Sequence, residues 1–152
     1  MFELIHAATF DPDGGTARGW ARIAADHPWL ADHFPGAPVL PGTVQLELCA
    51  QIAGPLAERV IAQREGGERW AFLGMVRSAS FPALGTLPAE VVIAAQLRRL
   101  EAAAAVVTVT CAHGEAMLCR AELVMVLRAP EPAWAEAMAA ARARIAAWTV
   151  RA

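Results

Sequence analysis

The sequence is short of several things, and each shortage removes a class of protein. No window of about 18 strongly apolar, uncharged residues occurs, so no membrane-spanning helix is expected. The opening stretch, "MFELIHAATF", has no basic segment ahead of an apolar run and does not read as a secretory signal. A net charge of −2 offers no overall basic excess for displacing counterions from phosphate, which argues against a nucleic-acid partner. The three cysteines, Cys49, Cys111 and Cys119, are odd in number and widely spaced, with no Cys-x-x-Cys pair. They read as small buried thiols in a reducing compartment, with a Cys111–Cys119 bond across a turn as the alternative. No metal or cofactor is expected, and the cytoplasm is the expected location.

What is present points to one domain. The 152 residues match one ordinary domain in size, and no repeat or linker divides residues 1–152. Apolar residues make up 57%, enough for a core without crosslinks. Residues 2–10 read as a strand with Phe2, Leu4, His6, Ala8 and Phe10 on one side. A turn, "DPDGG", and a second apolar stretch, "TARGWARIAA", follow.

From Thr43 the period changes. Val44, Leu48, Ile52, Leu56 and Val60 recur every four residues, which predicts a helix with a wide apolar face. Glu58, Arg59, Gln63 and Arg64 are expected to leave the core near its end, and Gly66-Gly67 to stop it. Pro55 lies inside this pattern and is expected to remove a hydrogen bond and kink the helix. Four strand candidates come next, "RWAFLGMVRSASF", "AEVVIAAQLRRL", "AAAVVTVTCAH" and "AMLCRAELVMVL", the last two joined by a tight "HGE" turn. Trp134, Met138, Ala141, Ile145 and Trp148 then predict a C-terminal amphipathic helix at about 131–149, with Pro132 suited to its first turn. The order predicts an α+β domain in which an antiparallel sheet wraps a long central helix.

The candidate chemistry sits at the start of that helix, behind "HFPGAPVLPG", residues 33–42. Pro35, Pro38 and Pro41 each fix φ and bias the residue before toward extended geometry, so the segment loses little entropy on ordering. It can hold one side chain, His33, in one place. Gly42 and Thr43 offer backbone N–H groups at a helix start, where an oxygen with negative charge is favoured. Glu47 and Gln51 stand one helical turn apart and share a face. Glu47 also admits a purely structural reading, as a carboxylate that steadies the start of the helix. Taken together, a base, an acid and oxyanion donors are the parts needed to remove a proton beside a carbonyl and expel a neighbouring group.

The run from His33 through Pro41 and Gly42 to Glu47 and Gln51 closely resembles the signature of the β-hydroxyacyl-acyl carrier protein dehydratases, the FabZ type in particular. Histidine, three prolines, two glycines, glutamate and glutamine all fall at the family's spacing. A weaker likeness continues through "FLGMVRSASF" to about residue 128. The resemblance implies a hotdog fold and a homodimer, sometimes a trimer of dimers, with the active site between subunits. His33 would be the base, Glu47 the acid on the other subunit, and Gly42 and Thr43 the thioester-oxygen site. Gln51 would orient Glu47, with Phe34 and Pro41 in support. The implied substrate is a (3R)-3-hydroxyacyl thioester on acyl carrier protein, dehydrated to the trans-2-enoyl thioester in fatty-acid or specialised polyene or polyketide chain building.

Departures from the family pattern mark a divergent member. Asp32 stands where the family carries glycine, and a carboxylate near His33 would weaken it as a base. "PALGTLPAE" replaces the family's Val-x-Pro-Gly-Asp turn, and Pro55 is unusual in the central helix. Glu47, where isomerising relatives carry aspartate, favours dehydration without double-bond isomerisation. The alternatives are a non-catalytic hotdog protein that binds acyl carrier protein or acyl groups and, less well matched, a hotdog thioesterase. Arg77, Arg98 and Arg99 read either as a contact for an acidic carrier or as solvated surface.

Overall fold

The computed structural model describes residues 4–30, 33 and 36–149. The chain runs through β1 (Ile5–Asp11), β2 (Thr16–Ile23), a short β3 (Val39–Leu40) and the long helix α1 (Gly42–Glu65). Then come β4 (Trp70–Ser80), a short β5 (Gly85–Thr86), β6 (Ala89–Leu100), β7 (Ala104–His113), β8 (Ala116–Arg128) and α2 (Ala135–Thr149). Six strands form one sheet in the order β1-β2-β6-β7-β8-β4, every neighbour antiparallel, and β3 pairs with β5 in a separate two-stranded sheet. This is the expected hotdog architecture.

Curvature follows from size. Six strands about 4.8 Å apart span about 24 Å, whereas a helix with its side chains is about 10 Å across. Yet α1 touches all six strands, so the sheet bends around it. Bulges in β1, β4 and β6 and at the β7–β8 pairing supply local bends. The bulge in β1 also changes the expected facing of that strand. Its register shifts between Ile5 and Ala7, so Ile5 joins Leu4 and Ala8 in the core and His6 is only half-buried. Phe2 lies outside the described residues.

The four-residue apolar period of α1 is spent on the sheet. Leu48, Ile52, Leu56 and Val60 are each fully buried. Seating a helix this deep needs a gap in the sheet, and Gly19 of β2 provides it. A Cβ at Gly19 would lie 2.4 Å from Ile52 Cδ1. The helix runs unbroken through Pro55 and stops at Gly66 and Gly67, whose φ values of 71° and 76° suit glycine. Glu58 and Arg59 do not leave the core as expected. Both are half-buried: Glu58 accepts the Ala71 N–H at 2.8 Å, and the Arg59 guanidinium lies 4.1 Å from the Phe10 ring centre. Burial lowers the Arg59 pKa.

All three cysteines are buried free thiols. Cys111 and Cys119 face each other across the β7–β8 hairpin, and burial pushes the Cys111 thiol up to about 12. None of the described helices is long and apolar enough to cross a membrane.

The C-terminal helix begins later than its apolar spacing indicated. Trp134 belongs to a preceding 3₁₀ turn, Pro132–Trp134, and packs edge-on against Phe72 of β4 at 5.4 Å. From there α2 passes Glu68, which pairs with Arg142, and packs on β1, with Trp148 buried in the core.

Replacing Gly19 with alanine tests the seating of α1. Ile52 is fully buried, so overpacking is expected to destabilise the fold by about 1–3 kcal/mol. Denaturant unfolding of Gly19→Ala against wild type checks it.

Candidate active site

The proline-rich segment is held at several points. Leu87 N–H donates to the Pro38 carbonyl at 3.0 Å. Val39 pairs with Thr86, and Leu40 with Gly85. Glycine is needed at 85, because a Cβ there would lie 3.0 Å from Leu118 Cδ1 and 3.2 Å from Leu40 Cβ. Gln45 then turns back from the first turns of α1, and its Nε2–H donates to the Leu40 carbonyl at 2.9 Å. One of these partners was invisible as part of the site. The stretch "PALGTLPAE" reads only as a departure from a family turn, yet it carries the strand that clamps the loop. Gln45 had a usable signal: a polar residue between Val44 and Leu46 at a position that proves 3% exposed.

This clamp delivers the start of α1. Pro41 sits at φ −62° and ψ 144° as the N-cap, and no side chain caps the helix. Val44 and Gln45 N–H both donate to the Pro41 carbonyl, at 3.0 and 3.1 Å. Among the described residues, the N–H groups of Gly42 and Thr43 are thus left at the helix terminus, where the dipole favours negative charge. Thr43 is exposed and Gly42 half-buried. Phe81 lies over Gly42, its ring atoms 3.1 Å from where a Cβ would be, so any other residue there must displace the ring.

One turn further, Gln51 Nε2–H donates to Glu47 Oε1 at 2.8 Å, which is the pairing the resemblance implied. Glu47 is half-buried, not deeply buried. It lies beyond the first turn of α1, which holds no acid. Its stabilisation comes from the Gln51 amide and not from the helix terminus, which acts over the first turn only. Glu47 and Gln51 open onto a hollow of about 420 Å³ between α1 and α2, walled on the far side by Met138, Ile145 and Trp148. At its far end lies Glu58, whose pKa is raised by burial and partly restored by the Ala71 N–H and the Arg142 charge.

His33 is exposed, with its backbone N–H donating to the Leu30 carbonyl at 2.9 Å. It does not line the hollow that holds Glu47. One chain therefore brings together Pro41, Gly42 and Thr43, and separately Glu47 and Gln51. Phe34 and Asp32 lie outside the described residues. Arg77 pairs with Glu122 at 3.1 Å, Arg99 with Glu101 at 2.7 Å, and Arg98 bonds Gln96; all three read as surface. A larger hollow of about 580 Å³ on β1, β2, β6 and β7 holds none of the candidate residues.

Comparisons with known proteins bear out the resemblance. A family model described as ApeI dehydratase (ApeI-like) matches residues 11–80. The 3-hydroxyacyl-[acyl-carrier-protein] dehydratase FabZ of Klebsiella pneumoniae is 36% identical over 74 residues, 49% of this chain and 49% of that protein. The chain thus spans about half the length of the curated relatives it matches. Among solved structures, smu.793 from Streptococcus mutans bound to acetyl CoA superposes with a TM-score of 0.65 at 18% identity, covering 86% of this chain and 94% of that one. The dehydratase heterocomplex ApeI:P from Xenorhabdus doucetiae gives 0.57 at 11% identity, covering 83% and 99%. Several other neighbours are named thioesterases. At such identities these structures establish the fold alone.

Gln45→Glu tests the clamp with almost no change of shape. The donor to Leu40 is lost and a carboxylate is buried against a carbonyl. The expected destabilisation is at least about 3 kcal/mol near neutral pH. Protonation restores a donor, so the deficit is expected to shrink on acidification toward about pH 4. Parallel urea melts of wild type and variant at both pH values check it.

Proposed function

We propose, from the premise that this chain is a divergent relative of the β-hydroxyacyl-acyl carrier protein dehydratases, that it removes water from (3R)-3-hydroxyacyl thioesters borne on acyl carrier protein. The product is the trans-2-enoyl thioester. The observation that carries this reading is the Glu47–Gln51 pair, held at 2.8 Å at the mouth of a largely apolar hollow. Gln51 occupies one carboxyl oxygen and leaves the other for the substrate hydroxyl.

The steps balance as an elimination. A ring nitrogen of His33 takes the α-proton, and the thioester oxygen gains negative charge facing the Gly42 and Thr43 N–H groups. The electron pair closes the Cα=Cβ bond as the Cβ–O bond breaks, and Glu47 gives its proton to the departing hydroxyl, which leaves as water. Proton return from His33 to Glu47 resets the site. Acid–base help contributes roughly 10²–10⁴ in rate and an oxyanion donor roughly 10²–10³. The clamped proline segment serves the positioning that supplies much of the rest.

Among the described residues His33 does not line the hollow that holds Glu47, which supports a site completed by a second copy: His33 of one protomer faces Glu47 of its partner. The edge strand β4 supports this. Phe72, Leu73, Met75 and Val76 are exposed, Met75 at 58%, on a strand whose outer backbone edge has no neighbour among the described residues. Such an edge invites pairing with another strand.

Turnover of a 3-hydroxyacyl thioester, followed by the absorbance of the conjugated enoyl product, tests the chemistry. His33→Ala and Glu47→Gln are each expected to lower the rate by about 10²–10⁴, and variants as active as wild type would exclude the mechanism. Release of free thiol in place of enoyl product would mark a thioesterase, and tight binding without turnover would mark a carrier-binding protein. Met75→Asp places a charge on the exposed edge. It is expected to convert a dimer into a species of 16.1 kDa by light scattering and to abolish turnover, because each site then loses one of its two contributors.

A further inference from the structure

The hollow beside Glu47 follows one face of α1. Glu47 stands at one end, Gly54 midway and Glu58 at the other, so it runs about 16 Å by helical rise. Between its two carboxylates the wall is mostly apolar, with Gln51 and Arg144 as polar members; α2 supplies as many of its residues as α1 does, and α2 is a helix outside the residues 11–80 that match the dehydratase family model. Trp148 anchors α2 in the core at 6% exposure, while the two helices remain apart along the hollow. The volume of about 420 Å³ falls within the range of small-molecule sites, roughly 300–1,000 Å³.

A substrate whose β-carbon meets Glu47 must place the rest of its acyl chain somewhere. The hollow starts at that carboxylate and leads away from it along a mostly apolar lining. We infer that α2 is the wall of the acyl-chain pocket: the aliphatic tail of the thioester enters between α1 and α2, and Met138, Ala141 and Ile145 set how long a tail is accepted. This inference rests on the dehydratase reading for its substrate, but the pocket itself does not require turnover. Glu58 and Arg142 close the far end, where a charged boundary would oppose the methyl terminus of an overlong chain. Gly54 keeps the α1 side open: a Cβ there would meet Met125 Cε at 3.5 Å and Ala71 Cβ at 3.8 Å, and larger side chains would project into the space. The same logic gives the apolar spacing of α2 a purpose, because Met138, Ala141 and Ile145 lie at the i, i+3 and i+7 positions that share one helix face.

The test is binding, so that it can fail separately from the chemistry. Non-reactive alkyl thioethers of pantetheine with four-carbon and twelve-carbon tails are titrated calorimetrically into the full chain. Ala141→Phe, which fills the hollow, is expected to lower the long-to-short affinity ratio by about tenfold or more, since one unseated methylene already costs roughly 10-fold in an apolar pocket. Met138→Ala, which enlarges it, is expected to raise that ratio. Far-ultraviolet circular dichroism on both variants checks that they fold. A ratio within about twofold of wild type in either folded variant overturns the inference, as does a wild type that binds both tails equally. Loss of long-tail binding in Ala141→Phe without enoyl formation by wild type would uphold the pocket and overturn the dehydratase reading. Enoyl formation with an unaltered ratio would do the reverse.

Discussion

Helix α1 has two faces with opposite fates, and the rest of the molecule follows from that division. Leu48, Ile52, Leu56 and Val60 are withdrawn completely into the bent sheet, each contributing about 1.5–3 kcal/mol by burial. This fixes the rotation of the helix about its axis. Once that rotation is set, Glu47 and Gln51 leave the core-facing side, and they do so on one face, one turn apart, because they differ by four residues. The half-burial of Glu47 is a consequence of the same geometry. It leaves the core face and lines the hollow that α2 walls on the far side. Without α2 the carboxylate would stand on an open surface, and without the sheet it would have no fixed direction.

The second dependence runs through the loop ahead of α1. Three prolines make the segment stiff, but stiffness does not say where a segment lies. Its position comes from main-chain hydrogen bonds to a strand more than forty residues later, from the close approach allowed by Gly85, and from the Gln45 amide reaching back to Leu40. The helix terminus is presented by these contacts, with the Gly42 and Thr43 N–H groups left over once Val44 and Gln45 have turned to Pro41. The clamp and the helix therefore form one unit: the residue that tethers the loop is itself part of the helix whose start the loop defines.

Much of the fold was legible before any coordinates. Five of the six long strands, the central helix, its glycine stop and the C-terminal helix each carry a period or a turn that reports a local preference, while β2 showed only as an apolar stretch. The places where the reading slipped are those at which local pattern and tertiary packing disagree. β1 lost its simple alternation to a bulge, so adjacent residues face the core. Glu58 and Arg59 looked like solvent-facing charges because charge usually means water, but one anchors the backbone of β4 and the other lies on Phe10. β3 and β5 are two residues each, too short for any period, and exist only because they meet. The candidate site was legible to the extent that it is contiguous: Gly42, Thr43, Glu47 and Gln51 lie within ten residues, and helical spacing alone pairs the last two. Its clamp was not, because Gly85 and Thr86 acquire their roles across space.

The sequence by itself determined the identity of the elements and the pairing of Glu47 with Gln51, because hydrophobic period, proline, glycine and a four-residue offset act through near neighbours along the chain. Only the tertiary structure decided what surrounds that pair. The curvature of the sheet, the clamping of the proline segment by β5 and the hollow beneath α2 all arise from contacts between residues far apart in the chain. A periodic pattern states that a surface must be covered, but the chain's path through space decides which surface covers it and where a gap is left.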